Sequence, residues 1–495
     1  MVQSNKDFLK IGGLLLTGAI IYFFQICSVS GQTTPTRPAY NSLNFYYGDL
    51  HAHSGYSSDG VGTPEQAYDT AKANKNDFFS LTDHDEAFIN NPYLCTNGVN
   101  NSLAGTPNFQ CQADKKIYVG TAEKWQHLKD IAGEKNINNN FVALYGYEWT
   151  HSGGHVNIFE APTFVNIGYA FSSVYSGLAN HPDKTVLFAQ FNHPQNTDFN
   201  SFAYNSTGAN YFSLIETNNF VTKYPAALKA GWKIGAVGYG DNHNALTAGV
   251  RRYGVLANGL NKNSIISAIK NRQTFAVLDG RAGSSSYPLA LAFKINNVLM
   301  GGNTKFNGSV NYEIYVRDDV KSIDKVRLLY GGSYSSANYY VAKEFTNIGK
   351  ENTLSGSFNS FAFSDPTRAK FFYIDVYQKN SSGQSIAYGW SAPVWISYDK
   401  NYNAPTSGPI PTVINFSPTP TLVVSKSPTP LVTITPTKTI TPTSPSGLSC
   451  SGGCYGSSFT CSRVACNGSA CTRLTSTQTL SMCGWSTGTA YRCCK

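Results

Sequence analysis

The chain has 495 residues, of which 14% are charged and 41% hydrophobic, and a formal net charge of +9. That length accommodates about three domains and at least one large apolar core, which excludes a single small module. Lys and Arg are dispersed rather than gathered into a stripe, so the positive total does not point to specific nucleic-acid binding.

Residues 1–31 carry Lys6 and Lys10 ahead of a mostly apolar run, Ile11 to Val29. A run of about nineteen residues is long for an export signal and short for a spanning helix, so the segment reads as a signal peptide or a membrane anchor. Ser28, Ser30 and Gly31 offer a cleavage site, whereas Ile26 before Cys27 suits a lipoprotein signal poorly. Either reading puts the remaining chain outside the cytoplasm or at the cell surface, where disulfides persist. Residues 32–43 form a polar, Pro-containing spacer.

The apolar run Phe45-Tyr46-Tyr47 leads into Asp49-Leu50-His51-Ala52-His53. On a strand, residues two apart project from one face, so two imidazoles are placed to grip one cation. Thr63 as N-cap and Pro64 at the first helical position predict a helix from Glu65 to Lys72. A strand from Asp77 to Leu81 follows and ends in Thr82-Asp83-His84. Strand, helix and strand make a βαβ unit whose strands run parallel, with polar residues at their carboxyl ends.

An insertion from Glu86 to Asn140 contains a predicted helix from about Thr121 to Glu134. Cys95 and Cys111 in it close a loop of about 17 residues, and a bridge there, which we expect, adds on the order of 3 kcal/mol. Phe141 to Tyr147 then ends in Glu148, and His155 opens the run Val156 to Phe159. Val186 to Phe191 ends in Asn192-His193, and Ile234 to Gly240 ends in Asp241-Asn242-His243. Tyr211 to Ile215 is a further strand before Glu216, whose carboxylate reads as either a support for a metal ligand or a satisfied strand end. A helix, Ser264 to Lys270, and a strand, Thr274 to Leu278, complete this part. Six of the nine histidines fall at these run ends.

From about Ala282 the period changes to two. Leu289–Phe293, Val310–Val316, Lys325–Tyr330, Tyr339–Phe345, Ser357–Phe363, Phe371–Tyr377 and Ala387–Ile396 read as strands of a β-sandwich over 282–400. Residues 401–448 are rich in Pro, Thr and Ser and read as an extended linker. The segment 449–495 holds eight cysteines and no histidine, which marks a disulfide-rich module rather than a zinc site. Tyr455, Trp485 and Tyr491 could give that module a carbohydrate-binding or cell-surface face, or simply its core.

DLHAHS, SDG, LTDHD, GYE, GH, NHP and GDNH, in that order, resemble the signature of the PHP (polymerase and histidinol phosphatase) superfamily. The likeness runs from about Asn44 to Asp279, and Gly146-Tyr147-Glu148-Trp149 is similar to the carbaryl-hydrolase-like branch. The resemblance implies an α/β fold over 44–281, a distorted barrel of about seven β/α units holding two or three divalent ions, Zn, Mn or Fe. It assigns His51, His53, Glu148 and Asp241 to one ion, and Glu148 with His155 and His193 to a second. Asp59, His84 and His243 would take a third, Asp59 standing where some relatives have histidine. Asp83 and Asp85 would steady His84 or the backbone beside it. Arg252, and after it Arg251, would bind a phosphate.

The expected function is an exported hydrolase whose metals lower the pKa of a bound water, most simply a phosphoesterase with Glu148, His193, Asp241 and Arg252 at its centre and an extracellular phosphoester as substrate. The same ligands would serve a carbamate, amide or carboxylic ester hydrolase. A surface-binding protein with the barrel as scaffold is the third reading.

Overall fold

A computed structural model describes residues 36–89, 121–195, 197–217, 222–332 and 337–403, together with strands between Phe459 and Cys494. The N-terminal apolar run, the Cys95–Cys111 pair and the Pro-rich linker lie outside the described residues. Among the described residues no helix is long and apolar enough to cross a membrane. The chain divides into two units, Met1–Thr412 and Val413–Lys495.

The first unit opens with β1 (Ala39–Tyr40), β2 (Leu43–Asp49) and β3 (Phe78–Leu81). Between β2 and β3 the helix Pro64–Ala73 starts as its sequence requires. Thr63 Oγ1 accepts from Gln66 N, Gln66 returns a bond to the Thr63 N–H, and Pro64 occupies the first turn. Strands β2 and β3 pair in parallel, Gly48 beside Phe78, so the βαβ unit forms. The helix Thr121–Lys135 then leads to β4 (Val142–His151), β5 (Gly154–Phe159), β6 (Phe188–Asn192), β7 (Phe212–Glu216) and β8 (Gly235–Val237). Last come β9 (Tyr253–Ala257), the helix Lys262–Lys270 capped by Asn261, and β10 (Thr274–Val277).

The sheet is mixed. β3–β4, β6–β7 and β7–β8 are parallel, while β4–β5–β6 and β2–β9–β10 are antiparallel. The antiparallel departure has a local cause: β4 continues past Glu148 to His151 and turns at Gly153 and Gly154, both at positive φ, straight back into β5. Tyr46, Phe78, Leu144, Phe159, Phe188, Leu214, Val237 and Val255, one from each of β2 to β9, share a single buried cluster with Ile265, Ile266 and Ile269 of the last helix. The sheet therefore curls around one interior. Its hydrogen bonding runs as an open path, with β8 paired only to β7 among the described residues, rather than as a closed ring.

The later part adds β11 (Ala290–Ile295), β12 (Val298–Leu299), β13 (Asn303–Phe306), β14 (Val310–Arg317), β15 (Ile323–Gly332) and β16 (Tyr340–Gly349). After these follow β17 (Glu351–Phe358), β18 (Ala369–Lys379), β19 (Ser385–Ser391) and β20 (Val394–Tyr398). β12-β11-β14-β17 form a four-stranded antiparallel sheet, which faces β15 and β18 across a core of Leu291, Phe293, Ile314, Val326, Leu328 and Ile374. Two expected strands differ. The strand expected over Ser357–Phe363 lies instead at Glu351–Phe358, on a sheet edge with an exposed face, where apolar residues are not needed. The run Ala387–Ile396 is two strands, because Pro393 lacks an N–H and ends the first ladder. Through β19, which pairs antiparallel with β10, the sandwich is continuous with the curled sheet. The second unit holds four antiparallel strands in the order β22-β21-β24-β23, namely Phe459–Asn467 (β21), Ala470–Leu480 (β22), Trp485–Ser486 (β23) and Thr489–Cys494 (β24).

Candidate metal centre

Three main-chain stitches gather the histidine-bearing segments. Asp241 N donates to His51 O and His53 N donates to Asn242 O, which zips the segment after β2 to the segment after β8 and interleaves two ligand pairs. Val61 N donates to His243 O, drawing the loop that carries Asp59 onto the same edge. Asp85 N donates to Glu148 O and Glu148 N to Asp83 O, setting His84 beside Glu148. On the hairpin, Glu148 and Thr150 alternate inward, and the pairs Thr150–His155 and His155–Asn192 carry that face across β5 to β6. His193 and Asp241 hold positive φ values of 24° and 53°, conformations that non-glycine residues adopt at a cost of order 1–3 kcal/mol.

Nine side chains converge as a result. His51 Nε2 lies 3.3 Å from His53 Nε2, 3.1 Å from Glu148 Oε1 and 3.4 Å from Asp241 Oδ1. Glu148 Oε1 also faces His193 Nε2 at 3.3 Å and His155 Nδ1 at 3.5 Å, while Oε2 faces His84 Nδ1 at 3.0 Å. His84 Nε2 and His243 Nε2 stand 3.5 Å apart, with Asp59 3.2 Å from the first and 3.4 Å from the second. Four triads have ligand atoms close enough for one ion: His51–His53–Glu148, Glu148–His155–His193, His51–His193–Asp241 and His53–His84–His243. These buried His, Glu and Asp groups could hold a metal ion. His51, His53 and Glu148 are buried, whereas Asp59, His155 and His243 reach the surface, so the cluster opens on that side.

The supporting bonds fix tautomers. His51 Nδ1 is 2.8 Å from Glu216 Oε1, and an ionised carboxylate only accepts, so the proton is on Nδ1 and neutral His51 presents a lone pair at Nε2. Ser57 spends its hydroxyl proton on Asp83 Oδ1 and therefore accepts from His53 Nδ1, which leaves a lone pair on His53 Nε2 as well. Two lone pairs 3.3 Å apart repel unless a proton or a cation stands between them. Glu148 is itself steadied by Asn192 Nδ2 at 2.8 Å and Thr150 Oγ1 at 3.0 Å, and Asp241 by the Tyr239 hydroxyl at 3.1 Å.

Electrostatics agree with that reading. Burial opposes the charged form of His51, but the carboxylates of Glu216, Glu148 and Asp241 outweigh it and hold the imidazole well above its ordinary pKa. His84 is likewise raised to about 10, since Asp59 and Glu148 overcome its burial. His53 goes the other way, to about 3, because burial dominates and His84 and His51 add positive charge nearby. Glu148, though buried, is pulled well below the carboxylate range by His51, His155 and His193.

Every expected ligand is in the cluster, and Arg252 is not. Its guanidinium is buried and donates to the carbonyls of Gly280, Lys75 (2.8 Å) and Arg281, leaving no fork for a phosphate. Of the two places where Asp83 and Asp85 were expected to act, the His84 ring and the backbone beside it, Asp83 serves the second: it holds Ser57 Oγ, which accepts from His84 N at 2.9 Å. Asp83 clamps Ser54 and Ser57, and Asp85 takes His151 and the Thr150 N–H. Glu216 proves to be the partner of His51 and also accepts from His193 N at 2.6 Å. Sequence reasoning missed Ser57, Thr150, Asn192 and Tyr239; the only hint of them was that each lies within two residues of a candidate ligand, Asp59, Glu148, His193 and Asp241 respectively. Beside the hairpin tip a cavity of about 520 Å³ is lined by uncharged residues, among them Phe171, Tyr175, Asn200, Tyr204 and Asn205.

No known family matches the chain, and no curated protein matches it. Among solved structures, a Niemann-Pick type C2 protein from Japanese carpenter ant is 10% identical, covering 23% of this chain and 97% of that one with a TM-score of 0.14, a likeness too slight to carry an argument.

Proposed function

We propose that the chain is a metal-dependent hydrolase of the PHP kind, its 44–281 segment a distorted β/α barrel, acting outside the cytoplasm on a phosphoester. The observation that carries this reading is the meeting of imidazole lone pairs and carboxylate oxygens from seven separate segments at one open rim. His51, His53 and Asp241 would hold one divalent ion, His155 and His193 a second, and His84, His243 and Asp59 a third, with Glu148 touching all three sets. Zn, Mn or Fe suits such mixed nitrogen and oxygen donors. When bound, ions of this kind supply an acidified water and positive charge against phosphoryl oxygens. The chain's own groups do the positioning: Glu216 and Ser57 set the histidine tautomers, Asn192 and Thr150 orient Glu148, and Tyr239 orients Asp241.

One observation favours a carbon centre instead. With Arg252 spent on carbonyls and an uncharged cavity near the hairpin, a neutral carbamate, amide or ester would meet no missing partner. Purified protein loaded with Mn or Zn is to be assayed on nitrophenyl phosphates, nitrophenyl esters and carbamates. We expect turnover of a phosphate substrate, lost in His193→Ala by more than the roughly 10–100-fold typical of residues one layer behind the metal. Turnover of the carbon substrates alone would replace the phosphoester reading by the second one, and full activity in His193→Ala would remove both.

A further inference from the structure

A second site flanks the hairpin that carries Glu148 and His155. There Gly153 at the hairpin tip, the helix Phe171–Ala179 and the chain after His193 surround a cavity of about 520 Å³, within the usual size of a small-molecule pocket. Phe171, Tyr175 and Tyr204 bring three aromatic rings to it, and Thr197, Asn200 and Asn205 bring a hydroxyl and two carboxamides. No charged side chain lines it, and the neighbouring Asp198 is engaged elsewhere, accepting from Gln195 N at 2.6 Å. The polar groups are largely unspent. Among the described residues the side chains of Thr197, Asn200 and Tyr204 meet no hydrogen-bond partner, and Asn205 uses only its oxygen, which accepts from Gly208 N at 2.8 Å.

The wall that holds Asn200 is strained. Phe199, Asn200, Ser201 and Phe202 have φ values of 55°, 50°, 53° and 60°, four left-handed residues in succession, where L-residues adopt that conformation singly. The run is gripped from several sides. Phe199 N donates to Gly153 O at 2.7 Å, the Phe199 and Phe202 rings are buried against Phe191, and Phe202 O accepts from Trp232 Nε1 at 2.9 Å. Gly154 makes room for it, since a Cβ there would fall 2.4 Å from the Phe199 ring. Backbone held in a sparsely populated region by its surroundings is characteristic of ligand clamps, and here it fixes Asn200 in the cavity wall.

The lining selects a chemical class. A charged group would lose its water and meet no counter-charge, and a purely apolar one would leave the hydroxyl and the carboxamides dry and unpaired. A sugar ring satisfies both halves of the wall, with C–H faces for the electron-rich faces of the aromatic rings and hydroxyls for Thr197, Asn200 and Asn205. Gly153 is two residues from His155 and Thr197 four from His193, so at most about 7 and about 14 Å of extended chain part these walls from the candidate ligands.

We propose that this cavity binds an uncharged sugar residue and so holds a sugar-bearing molecule beside the candidate metal centre. The assignment rests on the cavity and stands without the hydrolase reading; joined to that reading, it makes the substrate a sugar ester or sugar phosphoester. The test is a ligand-observed NMR titration of the full chain with methyl glucoside, methyl galactoside and methyl mannoside, beside gluconate, benzyl alcohol and uridine. We expect at least one of the three sugars to bind, and the charged, apolar and nucleoside probes to bind about tenfold more weakly or not at all. Asn200→Gly keeps the left-handed turn while removing the carboxamide, and Tyr204→Ala removes a ring that is 53% exposed. Each should weaken sugar binding about tenfold, whereas Tyr398→Ala, at an exposed tyrosine of the sandwich, should leave it unchanged. Thermal unfolding reports whether each variant keeps its fold. No binding of any sugar, equal binding of gluconate, benzyl alcohol or uridine, unchanged binding in both cavity variants, or equal loss in Tyr398→Ala would overturn the assignment. Sugar binding with these losses in protein inactive on every nitrophenyl substrate would uphold it and remove the hydrolase reading alone.

Discussion

At the scale of single residues, the candidate metal centre depends on groups that supply none of its candidate ligand atoms. Glu216 fixes the His51 proton and accepts from the main-chain N–H of His193, so Glu216→Ala releases the His51 ring and the backbone that carries His193 at once. Metal affinity, measured by competition with a chelator, should fall by about 10–100-fold while circular dichroism stays unchanged. Undiminished affinity would mean that His51 orients itself. Gly240 sets a steric limit on the same spot, since a Cβ there would come 2.3 Å from Asp49 Oδ1 and 2.4 Å from His51 O. Protonation gives a further expectation. His84, raised from 6.5 to about 10, binds its proton more tightly in the fold, so in metal-stripped protein its stabilisation is complete below pH 6.5 and is lost as pH rises through about 10. Asp59 and Asp241, held below their ordinary values by histidines, stabilise above about pH 4 and lose that contribution in acid. The melting temperature of stripped protein should therefore decline from pH 6.5 toward 10. Loading with Zn displaces the proton and should flatten the decline. A flat profile in stripped protein would contradict the pairing of His84 with Asp59 and Glu148. Most of the ligands were legible because they close an apolar run; His155 opens one instead, and Asp59, which borders none, was indicated only by the family resemblance. Ser57 and Tyr239 were not legible, because a hydroxyl in a loop carries no pattern until the fold shows which ring nitrogen it faces.

Among the elements, the first helix illustrates how local signals turn into placement. Thr63 and Gln66 cap it reciprocally, and Tyr68 then reaches across to donate to Leu144 O at 2.6 Å, tying the helix to β4 and hence to the strand that carries Glu148. Thr63→Ala should cost about 1 kcal/mol in urea unfolding, the usual worth of such a cap, and a loss under a few tenths would show the box to be incidental. This βαβ unit could be read from sequence because Thr-Pro and the apolar runs are short-range signals. The return of β4 into β5 could not, since a strand that continues past its last apolar residue leaves no mark of its length. The edge strand β17 was missed for the opposite reason: its sequence ENTLSGSF lacks the alternation that a half-buried strand shows.

For the whole first unit, the change of period near Ala282 was visible, yet the continuity across it was not, because a period of two does not name a strand's partner. Phe45, Tyr47 and Phe275 of the curled sheet lie in one buried cluster with Leu291, Ile314 and Val376 of the sandwich, and β10 pairs with β19 over Phe275–Val277. Cutting after residue 281 would bare that cluster and one edge of β10. Fragment 36–281 should therefore aggregate on expression, whereas 36–403 should be monodisperse by size-exclusion chromatography. A soluble, metal-binding 36–281 would show that the shared core is dispensable.

The β10–β19 ladder has a mechanical consequence as well. A hydrogen-bonded seam leaves no elbow between the curled sheet that carries the histidines and the sandwich, so hinge closure between these two parts is not open to the first unit. Access to the histidine cluster then falls to the loops at its rim, and the sandwich is held as on a stiff arm, at a constant offset from that cluster.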